Sequence, residues 1–172
     1  MPSLLKQLSG GDLRSIGRSN EIVSLVSAKP RLFGELFRAL SSGDRLVRMR
    51  AADAVEKITF ARPNLLRGRA RKVLELAARA EEKEFRWHMA LLLPRLALSR
   101  AQRMAAVDIL HDYLRDRSSI VKTFAMQGLA DLAREDRSLM SRVLPLLEKL
   151  TEDGTPAMRA RGRKILKRIG AS

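Results

Sequence analysis

Twelve residues, "VRMRAADAVEKI" (47–58), come back along the chain as "FRWHMALLLPRL" (85–96), "VKTFAMQGLADL" (121–132) and "MRARGRKILKRI" (158–169). The four align without gaps, and their starts lie 38, 36 and 37 residues apart. A period of this length implies stacked supersecondary units, none of which can bury its apolar face alone. The columns carry the physics. The first is apolar (Val47, Phe85, Val121, Met158), as are the ninth (Val55, Leu93, Leu129, Leu166) and the twelfth (Ile58, Leu96, Leu132, Ile169). The fifth is mostly small: Ala51, Met89, Ala125 and Gly162. Apolar positions at this spacing share one face of a 3.6-residue helix.

A second helical pattern precedes each segment at the same offset. Its marks are Phe33, Leu36 and Leu40, then Ala70, Val73 and Ala77, then Ala106, Ile109 and Tyr113, and finally Val143, Leu146 and Leu150. Breakers separate the paired helices at "SSGD" (41–44), "RDRSS" (115–119) and "EDGTP" (152–156). Ser118 or Ser119 and Thr155 suit helix N-caps, and Pro156 suits a first helical position. Pro30 and Pro63 mark the approach to the first two units. Aromatics are only 4% of the chain, while Leu, Ala and Arg dominate, a mixture that favours helix over strand. The expected fold class is all-α.

Helix pairs at this period, with "VRxxAA" opening the second helix of the first pair, resemble HEAT repeats. The resemblance covers roughly residues 30 to 170 and implies a right-handed α-α superhelix of about four helix pairs. The units would span about 30–62, 63–99, 100–136 and 137–172, preceded by an N-terminal helical cap over 1–29, in a single structural domain. Within the cap "SNEIVSLVSA" (19–28) is the strongest helix, and Gly10 and Gly11 break any helix before it. The second column is always basic (Arg48, Arg86, Lys122, Arg159) and matches the family's basic position. By that resemblance these residues bridge neighbouring units through turn carboxylates and carbonyls. Asp116 and Asp153 look like the acidic turn partners; Asp44 is shifted, and the second unit offers only glutamates within 81–84.

In HEAT stacks the second helices usually line the concave, ligand-facing side. Helical geometry puts the third, seventh and tenth columns opposite the apolar stripe. They read Met49, Asp53, Glu56; Trp87, Leu91, Pro94; Thr123, Gln127, Ala130; and Ala160, Lys164, Lys167. The second unit thus carries an apolar patch around the only Trp of the chain. Trp87, Leu91, Pro94 and Arg95 form a candidate protein-binding patch, either a hot spot or a platform for an aromatic group. Fuller burial of the helix is the competing reading, and Pro94 would bend it.

The formal net charge of +15 predicts attraction to polyanions. Two clusters stand out. "RGRARK" (67–72) puts Arg67, Arg69 and Arg71 at the start of a helix, against its dipole. "MRARGRKILKR" (158–168) puts Arg159, Arg161, Arg163, Lys164, Lys167 and Arg168 on one short helix with no acid from Ala157 to the C-terminus. These are candidate anion- or nucleic-acid-binding residues, weighed against a solvated end cap.

Chemistry is scarce. With no cysteine and only His88 and His111, thiolate metal sites and Cys nucleophiles are excluded and no cofactor is expected. No Gly-rich phosphate loop follows a strand. HEAT-like DNA glycosylases, which bind DNA in a basic concave groove, are a distant comparison: they surround an acid with more aromatic groups, whereas Trp87 has no second Trp. No apolar run is long enough to span a bilayer, and the start lacks the pattern of a signal peptide. A cytoplasmic, non-catalytic protein-binding scaffold or adaptor is the leading expectation, with a protein partner. Sequence-independent nucleic-acid binding is the alternative.

Overall fold

A computed structural model describes residues 4–9 and 18–170; Gly10 and Gly11 lie outside them. All regular structure among the described residues is helical. The chain forms two compact units, one up to Arg69 and the other from Ala70.

The first unit contains α1 (Leu4–Leu8), α2 (Ser19–Ala28), α3 (Phe33–Arg38) and α4 (Arg45–Ala61). The predicted cap helix over 19–28 is α2. Pro30 and Pro63 each open a short 3-10 turn (Pro30–Leu32 and Pro63–Leu66), because proline suits a first helical position and lacks the N–H that a longer helix would need. Asp44 is the N-cap of α4: its Oδ1 accepts the N–H groups of Leu46 (2.8 Å) and Val47 (3.3 Å). Ile22, Val26, Leu36, Leu40, Ala51 and Val55 are fully enclosed, so α2, α3 and α4 share one apolar centre. Burying a Leu or Ile of this kind is worth roughly 1.5–3 kcal/mol.

The face of α4 expected to open outward is covered. Met49 is buried, and Asp53 is half-buried, accepting hydrogen bonds from Ser19 Oγ and Lys57 Nζ. Arg50 is 1% exposed and donates to the Leu8 carbonyl at 2.8 Å. The N-terminal helices therefore lie against α4 and supply the acceptor and donor that its polar residues need in a dry place.

The second unit comprises α5 (Ala70–Ala78), α6 (Lys83–Leu92), α7 (Arg100–Tyr113), α8 (Ser119–Glu135), α9 (Met140–Asp153) and α10 (Pro156–Gly170). Here the pairing predicted by the repeat is seen directly: α5 packs on α6, α7 on α8 and α9 on α10. The second helices α6, α8 and α10 lie side by side, with α8 in the middle. The first-column residues Phe85, Val121 and Met158 and the fifth-column residues Met89, Ala125 and Gly162 are all buried. Pro94 ends α6 early; a 3-10 turn (Leu93–Arg95) replaces its last turn, since proline cannot donate to the carbonyl four residues back. Ser99 and Gln102 close a reciprocal capping box at the start of α7. Thr155 Oγ1 accepts the Met158 N–H, as expected of an N-cap, and also meets Ser119 Oγ at 2.7 Å. Ser118 precedes α8 but makes no side-chain cap bond.

Candidate functional site

The basic column takes different forms at its successive positions. Arg48 turns back on its own turn, donating to the carbonyls of Ser42 (2.7 Å) and Gly43 (3.1 Å). Arg86 is the bridging residue: Nε donates to the Ala80 carbonyl at 2.7 Å and Nη1 to Asp116 at 2.9 Å. Its guanidinium also lies 5.1 Å from the ring centre of Tyr113, whose hydroxyl donates to the Ala77 carbonyl at 2.7 Å. Burial pushes the Tyr113 phenol well above its ordinary range, against the pull of Arg86. Asp116 is thus an acidic turn residue linking α6 to the α7–α8 turn. Lys122 is half-buried and Arg159 exposed. A second link was not legible in the repeat: Arg103 of α7 donates to Asp136 at 2.8 Å. Asp136 also accepts from Ser138, and these bonds hold its carboxyl below the usual carboxylate range.

The expected third, seventh and tenth columns are half-buried on α6 and exposed on α10, but on α8 only the seventh stays open. On α8, Thr123 and Ala130 are buried, while Phe124, Gln127 and Asp131 are half-buried. The reason is lateral: α8 packs not only on α7 and α9 but also against α6 and α10 on either side. Neighbours on both flanks close part of the arc that an isolated helix pair would leave open.

On that strip Trp87 and Leu91, one turn apart on α6, are both half-buried. Trp87 meets Phe124 of α8 edge-on, with ring centres 6.1 Å apart at 65°, and His88 at 5.3 Å. Arg161 of α10 lies 5.6 Å from the Phe124 ring centre and donates to Gln127 Oε1 at 3.3 Å. The Gln127 amide donates in turn to Asp131 at 3.0 Å. Burial pushes the Asp131 carboxyl up, while the Gln127 bond and Arg134, Arg168 and Arg95 pull it back. Three helices thereby place an aromatic pair, a shared polar chain and several arginines on one face. Pro94 and Arg95 are half-buried in the 3-10 turn. Pro94 borders a cavity of about 430 Å³ with Leu96, Leu98, Arg103 and Leu132, so the four-residue patch is divided: Trp87 and Leu91 share the strip, and Arg95 bears on it through its charge, which favours the ionised Asp131 carboxylate.

The basic candidates also separate. Arg67 is exposed in the first unit. Arg69 is drawn inward: its guanidinium lies 5.5 Å and 5.1 Å from the ring centres of Phe33 and Phe37, and its Nε is buried without an acceptor. That packing makes Arg69 an internal cation–π residue. Arg71 is exposed on α5, which packs on α6 and α7, whereas α10 packs on α8 and α9. On α10, Arg159, Arg163, Lys164, Lys167 and Arg168 are exposed and Arg161 is half-buried. The residues that sequence reasoning missed are Phe124 and Asp131. Their columns, the fourth and eleventh, carry Arg50, His88 and Arg161 and Lys57, Arg95 and Arg168 in the other units, so the repeat points to a basic residue at both positions and gives no sign of the aromatic ring and the acid found on α8.

Among the described residues no cluster of His and acidic side chains could hold a metal ion, and no helix is long and apolar enough to cross a membrane. Helix pairs packed in register, with one layer of second helices, define an all-α helical-repeat protein. The family model for the HEAT repeat domain matches residues 8–169, and the chain belongs to that family. No curated protein and no solved structure matches it. HEAT repeats commonly serve as protein-interaction scaffolds.

Proposed function

We propose that this chain is a non-catalytic binding module, and that the second-helix strip of the Ala70–Ser172 unit recognises an acidic, helical segment of a partner protein. The observation that carries this reading is the half-buried Trp87–Leu91 pair beside Phe124, flanked by Arg95, Arg161 and Arg168. An apolar centre with an arginine rim is the composition of a protein-binding hot spot. The rigid packing of α6, α8 and α10 holds these groups in place before a partner arrives, which limits the ordering cost of binding.

The test uses a fluorescein-labelled, helix-forming peptide with leucines at i and i+4 on one face and glutamates on the other. Anisotropy should give saturable binding. Truncating a hot-spot anchor typically costs about 2 kcal/mol, roughly thirtyfold in affinity, so Trp87→Ala should weaken binding by that factor. Arg161→Glu should weaken it further by placing a carboxylate against the glutamate face. Peptide affinity unchanged in both variants would refute the assignment of the strip as the binding surface.

A further inference from the structure

The C-terminal helix has a second face that does not belong to the strip. The buried side of α10 is formed by Met158, Gly162 and Ile165. At 100° per residue the opposite half of the helix carries, in angular order, Arg159, Arg163, Lys167, Ala160, Lys164 and Arg168. All six are exposed. The other exposed residues of the helix are Pro156, Ala157 and Gly170, and α10 contains no acid. No ion pair or side-chain hydrogen bond joins Arg159, Arg163, Lys164 or Lys167 to another described residue. Like charges one turn apart, such as Arg159 with Arg163 and Arg163 with Lys167, repel one another until an anion lies across them.

We infer that this exposed face of α10 is a docking surface for the phosphate backbone of duplex nucleic acid. Charge complementarity selects the partner. Five cations between residues 159 and 168 span about 13.5 Å of helix axis, at 1.5 Å per residue, a mean spacing of about 3.4 Å. A strand of duplex DNA presents one phosphate per about 3.4 Å of axis. An acidic protein would need more than charge, because protein interfaces centre on buried apolar or aromatic anchors and are depleted in lysine. The exposed face has none: its non-ionic members are Pro156, Ala157, Ala160 and Gly170. No aromatic or amide is present among these exposed groups, and no neighbouring side chain holds Arg159 or Arg163 in a fixed orientation for a bidentate contact to guanine, so recognition is of the backbone and independent of base sequence. The surface meets the Trp87 strip only at Arg168, and its other four cations take no part in that strip.

The experiment is anisotropy of the full chain with a labelled 20-base-pair duplex from 50 to 200 mM NaCl. Five phosphate contacts give a log-log salt slope of about −4.5, hence a loss of roughly 500-fold in affinity over that fourfold range. Arg163→Glu with Lys167→Glu should reduce the slope to about −2.7 and weaken binding at least tenfold at 100 mM. Arg67→Glu with Arg71→Glu changes the net charge equally elsewhere and should shift affinity less than twofold, as should Trp87→Ala. Far-UV circular dichroism checks folding, and Arg159→Gln with Lys164→Gln gives a second, milder removal of two contacts. A slope shallower than about −2, equal weakening by the two charge-reversed pairs, or displacement of the duplex by polyglutamate as effectively per charge as by unlabelled duplex would each overturn the inference.

Discussion

Gly128 sits in the middle of α8, where two opposing effects can be weighed. In an exposed helix interior, Gly→Ala stabilises by about 1 kcal/mol, because alanine loses less backbone entropy on folding. At Gly128, however, an added Cβ would lie 2.8 Å from the Ala90 carbonyl oxygen of α6 and 3.0 Å from Leu110 Cδ1 of α7. Leu110 can adjust its rotamer; the carbonyl belongs to a packed helix and can retreat only if α6 moves as a body. Overpacking of this kind costs about 1–3 kcal/mol or more, and a backbone obstacle belongs at the upper end. The net expectation for Gly128→Ala is a loss of about 1–2 kcal/mol. With a urea m-value near 1.5 kcal/mol/M, that moves the unfolding midpoint down by about 1 M. Trp87 is the only tryptophan and lies in the same unit, so its fluorescence reports the transition. Gly34→Ala is the control: beyond its own stretch of helix backbone, its Cβ would find its nearest neighbour, Arg38 Nη1, at 3.9 Å. That variant should be neutral or stabilised by up to about 1 kcal/mol in a circular-dichroism melt. A Gly128→Ala protein as stable as the parent would show that α6 and α8 are not held at the spacing described.

Four other substitutions probe separate links. Tyr113→Phe removes the hydroxyl that donates to the Ala77 carbonyl in a buried position and should cost about 1 kcal/mol in urea unfolding, leaving the helix content unchanged. Asp131→Asn and Asp136→Asn should have opposite pH dependences. The folded-state pKa of Asp131 is raised, so its contribution is present below the unfolded value near 3.8 and is lost as pH rises through the folded value. The Asn variant therefore gains on the parent as pH rises. Asp136 is lowered, so its contribution is present above 3.8 and lost as pH falls, and its Asn variant loses at neutral pH. Stability curves from pH 3 to 7 that move both variants in the same direction would contradict these environments. Asp44→Ala removes the acceptor for two backbone N–H groups at the start of α4 and should cost about 1 kcal/mol, read as a lower melting temperature.

How much was legible depends on whether a feature repeats. Helix pairing, the buried first and fifth columns, the breakers at 41–44, 115–119 and 152–156, and the cap helix over 19–28 all follow from periodicity, because apolar spacing and turn residues act within a few residues of themselves. The bare cationic face of α10 was readable for the same reason, since no acid occurs anywhere in that stretch. What tertiary structure alone decided concerns partners far apart in the chain. Arg86 bridges to Asp116 while the equivalent Arg48 bonds its own turn, a choice set by which acceptor the packing brings within reach. Arg69, read in sequence as one cation of a cluster, is instead packed against Phe33 and Phe37, residues more than thirty positions earlier. On α8 the open strip moved from the third and tenth columns towards Phe124 and Asp131. Helical geometry determines which residues share a face, but only the flanking helices determine how much of that face water still reaches.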